Sequence, residues 1–304
     1  MGITFKQTSM SVIFCCSFLI LFSFTIQAQM QFPSPMVDFT RAHDRVELDT
    51  VLGKQFEIPG ILDKPIQAYL PRQSFEADCL RLLIHFHGAA YVPIYAVEKS
   101  EESYFLIVIN LGSGSSVYEK VFAKGGSFAG FIKSIRDSLT EYRGEEGILN
   151  GIYVSSFSAG YGAVRAILNQ PEALSILDGV ILLDGLHTDY VPERQLLAEG
   201  GNLNAHKLRP FLDLAKMAID GQKIFVMTHS EIFPGTYAST TETADYIIRE
   251  VGLFRKPVLK WGALGMQQIS EVSEGKFTVL GFAGNSAPDH IDHFHALFKF
   301  LEFF

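Results

Sequence analysis

The chain has 304 residues, 48% hydrophobic and 19% charged, with 26 phenylalanines and a formal charge of −8. That length buries a large core without a metal or disulfide staple, and the low charge and high aromatic content exclude a disordered chain. No lysine- or arginine-rich run is present, so the basic footprint of a nucleic-acid binder is missing.

At the N-terminus Lys6 is the only charge before Asp38, an apolar run spans Ser11 to Ile26, and the small residue Ala28 follows. This order of charge, apolar run and small residue predicts a secretory signal peptide over 1–28, removed on export to a secreted or periplasmic location. A membrane anchor needs about 20 apolar residues and positive charges behind them. The run here is shorter and has none, so no membrane span is expected in the processed chain. Cys15 and Cys16 lie inside the run rather than at its end, which speaks against a lipoprotein site. Cleavage leaves residues 29–304, a charge of −9 (24 basic against 33 acidic residues) and one cysteine, Cys79. The exported chain then has no intramolecular disulfide.

From Gln29 to Pro71, prolines, glycines and short alternating stretches such as Arg45-Val46-Glu47-Leu48 predict a β-ribbon or meander. Leu80 to Phe86 and Tyr104 to Ile109 are nearly continuous apolar runs ending in glycine-containing loops, the pattern of strands buried on both faces of a parallel sheet. Phe128, Phe131, Ile132, Ile135, Leu139 and Tyr142 fall on one helical face, with Ser127 as expected N-cap and Gly144 as terminator. Further strands are expected at Gly151 to Ser155, Gly179 to Leu183, Lys223 to Thr228 and Phe277 to Phe282. Helices are expected at about 159–169, 206–219 and 240–251, and from about 287 onward. Strand and helix alternate through two-thirds of the chain. The expected fold is a doubly wound, mostly parallel α/β sheet in a single domain with an N-terminal β extension, with ligands at the carboxyl ends of its strands.

One segment combines strand, turn and helix: Gly151-Ile152-Tyr153-Val154-Ser155-Ser156-Phe157-Ser158-Ala159-Gly160. Ser158 has Gly160 two residues after it and the small Ser156 two residues before it. A serine on so sharp a turn needs small flanks, and the turn raises its hydroxyl above the sheet at the positive end of a helix. Gly125-Gly126-Ser127 follows no strand and reads as a helix cap. Ser286-x-x-Asp289 and Ser239-x-x-Glu242 read as capping boxes.

The Ser156-to-Gly160 turn resembles the nucleophile elbow of the α/β-hydrolase superfamily, with Ser156 in place of the usual first glycine. The resemblance covers about residues 80 to 304 and implies a Ser, Asp or Glu, His order along the chain. It places the base where Phe277 to Phe282 passes into Pro288-Asp289-His290-Ile291-Asp292-His293-Phe294-His295. His290, nearest the strand, is the expected base, with His293 in reserve one turn further on. His295 reads as structural. For the acid, Asp184 directly ends Gly179 to Leu183 and is preferred to Glu231, which lies in a looser loop past the next strand. His85-Phe86-His87-Gly88-Ala89 resembles the His-Gly oxyanion motif of esterases, which implies the backbone N–H groups of Ala89 and Ala159 as oxyanion donors.

The function this implies is ester hydrolysis by Ser158, His290 and Asp184 through an acyl-enzyme, without cofactor or metal, on a small or polymer-borne ester. Two alternatives stand beside it. In one, His85 and His87, on one strand face, bind zinc with Asp184, His187 or His229 in a metal-dependent hydrolase. In the other, the fold is a catalytically silent binding protein, to which the Ser156 departure points. Gly112-Ser113-Gly114-Ser115-Ser116 lacks the P-loop lysine and reads as a loop at the site. Trp261, Tyr91, Tyr95 and Tyr161 are candidates for cleft or core.

Overall fold

The computed structural model describes residues 43–48, 50–144 and 148–304. The expected signal peptide at 1–28 and the start of the expected β-ribbon lie outside them.

The strands in chain order are β1 (Lys54–Ile58), β2 (Ile66–Leu70), β3 (Cys79–Phe86), β4 (Tyr104–Ile109), β5 (Ile148–Phe157), β6 (Gly179–Leu183), β7 (Tyr190–Val191), β8 (Asn202–Leu203), β9 (Ile224–His229), β10 (Lys256–Trp261), β11 (Gln267–Glu274) and β12 (Phe277–Phe282). Ten of them form one sheet in the order β1-β2-β4-β3-β5-β6-β9-β12-β11-β10, and β7 pairs with β8 apart from it. The six central strands, from β4 to β12, run parallel. Antiparallel pairs extend both edges.

Every residue of β4 and of β6 is buried. Alternation along the parallel strands divides their side chains between two cores. Leu80, Leu82, Ile84 and Phe86 join one core with the helices Ser127–Arg143, Tyr161–Leu168, Ala205–Ile219 and Thr240–Glu250. Leu83, Leu106, Ile181 and Val226 join the other, with the helices Tyr91–Lys99, Ala287–His295 and Leu297–Phe300. The fold is therefore the expected doubly wound, mostly parallel α/β sheet with helices on both faces.

Several local expectations need correction. Arg45 to Leu48 is not a strand: the Val46 N–H donates to His295 Nδ1, and Arg45 binds Asp292 and the Pro288 carbonyl. Ser127 is the first helical residue rather than the cap; Gly126 occupies the cap with φ 76° and Ser127 Oγ accepts from Gln170. The helices Tyr91–Lys99 and Ser115–Val121, and the hairpin β10–β11, were not expected. Trp261 lies in neither cleft nor core; it is 72% exposed on the edge strand β10. Cys79 is free and exposed at the start of β3.

Two glycines behave oppositely under one substitution. A Cβ on Gly162 would come within 2.1 Å of the Ser115 backbone, whereas Gly130, exposed within Ser127–Arg143, has nothing within 4 Å. Gly162→Ala should destabilise by about 1–3 kcal/mol and Gly130→Ala should stabilise by about 0.5–1 kcal/mol. Urea unfolding midpoints of the two variants measure this.

Candidate active site

Three of the five non-glycine residues with positive φ among the described residues lie just past the carboxyl ends of central strands: His87 after β3 (φ 73°), Ser158 after β5 (φ 45°) and Asp184 after β6 (φ 42°). Left-handed backbone costs a side-chain-bearing residue about 1 kcal/mol or more, and clusters of it mark functional sites. At Ser158 the turn is held from both sides. A Cβ on Gly160 would meet the Phe86 carbonyl at 2.4 Å, and one on Gly185 would meet the Ser158 nitrogen at 2.7 Å. The glycine at +2 of the elbow is therefore sterically required. Position −2 accepts Ser156, which is fully buried with its hydroxyl unpartnered.

Asp184 is 1% exposed. Its carboxylate accepts four hydrogen bonds: from the Ser230 N–H (2.9 Å), the Ser230 hydroxyl (2.7 Å), the Thr240 hydroxyl (2.6 Å) and His290 Nδ1 (2.7 Å). Its own N–H donates to Thr228. Burial pushes the carboxyl up, but the charges of His293 and His290 and the bonds from His290 and Thr240 outweigh it and hold the group below the ordinary carboxylate range. Because a carboxylate only accepts, His290 carries its proton on Nδ1, and its Nε2 is the free base position in the neutral ring.

His290 comes from the first turn of Ala287–His295, which Ser286 and Asp289 close as a capping box. The Phe157 ring packs 4.6 Å from the His290 ring and stacks 4.9 Å from Phe294. Phe294 in turn stacks on His85 and lies where a Cβ on Gly88 would be. One aromatic column thus joins the turn after β3, the elbow and the helix that carries His290. Among the described residues, the N–H groups of Ala89 and Ala159 donate to no other group.

The other candidates separate clearly. His293 is buried one turn deeper, with Nδ1 2.7 Å from the Thr228 hydroxyl. Glu231 is bonded instead to the loop after β12: its carboxylate accepts from the Gly284 N–H and its own N–H donates to the Gly284 carbonyl. His295 pairs with Val46. His85 and His87 do not form a metal site. His85 spends Nδ1 on Ser155 (2.8 Å) and Nε2 on the His87 carbonyl (2.8 Å), while His87 Nδ1 bonds the Tyr118 hydroxyl (2.8 Å). His229 is equally committed, Nδ1 to Thr241 and Nε2 accepting from Arg255. Among the described residues, the one group with metal-ligand proximity is His43, Asp289 and Asp292, where Arg45 already pairs with Asp292. Ser230, Thr240 and Phe157 are parts of the site that sequence reasoning missed.

Two cavities open at Ser158. One, of about 440 Å³, is lined by Gly114, Ser115, Ala159, Tyr161, Thr188 and Asp189; the other, of about 300 Å³, by Asp184, Ser230, Ile232, Thr240 and His290. Ser158, His187 and Tyr237 border both. The Gly112-to-Ser116 loop thus reaches the site through Gly114 and Ser115.

No family model matches the chain, and no curated protein matches it. Solved structures of similar fold include S-formylglutathione hydrolase from Agrobacterium tumefaciens, at 11% identity and a TM-score of 0.45, covering 84% of this chain and 96% of that one. Acetyl xylan esterase from Aspergillus awamori is similar at 11% identity and a TM-score of 0.47, over 82% of this chain and 100% of that one. Acylaminoacyl peptidase from Pyrococcus horikoshii is similar at 13% identity and a TM-score of 0.46, over 84% of this chain; the chain spans 42% of that protein's length. These likenesses concern the fold alone.

Burial, and then the Arg255 charge, push His229 down to about 3, far below its ordinary value of 6.5. An unfolded chain therefore binds a proton there that the folded chain refuses, and stability is lost as pH falls from about 6.5 toward 3. His229→Gln keeps an acceptor for Arg255 and removes the titration. Its unfolding free energy should fall less steeply between pH 6 and 4, by up to about 1.4 kcal/mol per pH unit, in denaturant titrations at each pH.

Proposed function

We propose that this chain is a serine hydrolase that cleaves carboxylic esters through an acyl-enzyme intermediate. The observation that carries the reading is the 2.7 Å bond from His290 Nδ1 to the buried Asp184, beside a cavity that Ser158 also lines. Ser158 Oγ attacks the carbonyl carbon while its proton passes to His290 Nε2. The carbonyl electrons move onto the oxygen, which the N–H groups of Ala89 and Ala159 receive. The C–O bond to the alcohol then breaks, and His290 returns the proton to the leaving oxygen. Water repeats the sequence on the acyl-serine and releases the acid. Asp184 fixes the His290 tautomer and stabilises the imidazolium that forms. The choice of ester follows from the resemblance of the His87-Gly88-Ala89 turn to that of esterases.

A fluorophosphonate probe should label the purified protein, and Ser158→Ala should abolish both label and ester hydrolysis without unfolding the chain. Asp184→Asn should lower kcat by about 10³–10⁴, as loss of the correct tautomer does elsewhere. Glu231→Gln should cost less than about tenfold. His290→Ala should match Ser158→Ala, with little added loss in the double variant, while His293→Ala should act mainly on stability or KM. Full activity in Ser158→Ala would sink the mechanism.

Among the described residues no helix is long and apolar enough to cross a membrane. On the pattern of residues 1–28 we place the enzyme outside the cytoplasm. The exported protein should then begin at Gln29 on N-terminal sequencing; a start at Met1 in the exported fraction would overturn that placement.

A further inference from the structure

One imidazole at the cleft has no part in the chemistry above. His187 borders both cavities together with Ser158, yet it is not among the four donors to Asp184. Its Nδ1 lies 2.8 Å from the Ala238 carbonyl. A carbonyl only accepts, so Nδ1 carries the proton. The rings of Tyr161 and Tyr237 meet it edge-on at 5.6 and 5.0 Å and fix its plane. Burial lowers its basicity, which favours the neutral ring. In that tautomer Nε2 is a lone-pair acceptor, and no described side chain donates to it.

His187 is part-buried and opens on both cavities, so in the free enzyme its acceptor is met by water, and a ligand that displaces that water without supplying a donor loses a hydrogen bond. The complementary group is a hydroxyl or N–H rather than another acceptor. The carboxylate that lines the larger cavity, Asp189, is already paired with Lys207, so the cavity is not an open anionic pocket for an ammonium group. Ser115 and Thr188 line the same cavity, the Thr188 hydroxyl donating to the Asn204 carbonyl.

Resting on the serine-hydrolase reading, we propose that His187 Nε2 accepts a hydrogen bond from a substrate hydroxyl beside the scissile carbonyl, so that the enzyme selects hydroxyl-bearing esters over their deoxy counterparts. His187 stands where the two cavities join, so the hydroxyl is carried on the carbon chain next to the ester, on its acyl or its alcohol side.

The test compares kcat/KM of the full chain within two matched pairs. For the acyl side these are p-nitrophenyl 3-hydroxybutyrate and p-nitrophenyl butyrate; for the alcohol side, glycerol monobutyrate and propyl butyrate. At least one pair should show a preference of about tenfold or more for the hydroxylated member. The pair that shows it identifies the side. In His187→Phe that preference should shrink to within about twofold, and in His187→Gln, which retains an acceptor, part of it should survive. Fluorophosphonate labelling of Ser158 in each variant reports that the site is still assembled, and if His187→Phe does not label, the wild-type ratio and His187→Gln decide. Equal rates within both pairs, in wild-type enzyme that labels and hydrolyses the parent esters, would overturn the role of His187 alone. So would a preference that persists in His187→Phe. Absence of both labelling and hydrolysis in the wild type would instead remove the hydrolase reading, and this inference with it.

Discussion

The site is organised around a single buried charge. A carboxylate taken out of water must be repaid by donors or it protonates, and Asp184 meets that demand with four of them. The four come from three separate places in the chain: Ser230 past β9, Thr240 at the start of Thr240–Glu250, and His290 in Ala287–His295. Satisfying one anion therefore fixes the relative positions of a strand end and two helix starts. Removing any donor leaves the rest of the shell facing a poorly satisfied charge, which is why such networks act as units. The Nδ1–H of His290 is one of these structural donors, so the bond that secures the shell is also the one that selects the ring's tautomer.

A second restraint is apolar. The column from His85 through Phe294 and Phe157 to His290 places ring against ring at 4.6 to 5.2 Å. Hydrogen bonding to Asp184 alone leaves His290 free to swing about one bond; packing against Phe157 closes that freedom. The same Phe294 ring occupies the space beside Gly88, so the turn that holds the Ala89 N–H and the helix that holds His290 are set by one side chain.

The legible parts of the fold were those whose burial leaves an unbroken trace. β4 and β6 are hydrophobic on both faces and stand out in the sequence as continuous runs. β10 carries Lys256, Pro257 and Lys260 on an exposed edge and has no such run. The helix Tyr91–Lys99 carries Pro93 in its first turn, a residue that marks a helix start only once the start is known. Ser158, Asp184 and His290 stood out as candidates because each sits at a strand end or helix start with a local pattern around it. Ser230 and Thr240 were not, because they meet Asp184 across 46 and 56 residues and nothing local marks a hydroxyl as a carboxylate's partner. Ser239 to Glu242 read only as a helix cap, which it is, but it also delivers Thr240 to the charge.

The left-handed backbone at His87, Ser158 and Asp184 has an evolutionary corollary. Glycine is the residue that such a conformation favours, and replacing any of the three with it would relieve about 1 kcal/mol of local strain. Each is one or two nucleotide changes away from a glycine codon, so drift has an open route toward relaxation. A lineage released from the demands of the site would be expected to take it, one position at a time. Under the mechanism proposed above, the side chains at these three positions work against the preference of their own backbone, and a descendant carrying glycine at Asp184 or Ser158 would have lost the proposed chemistry while keeping the fold.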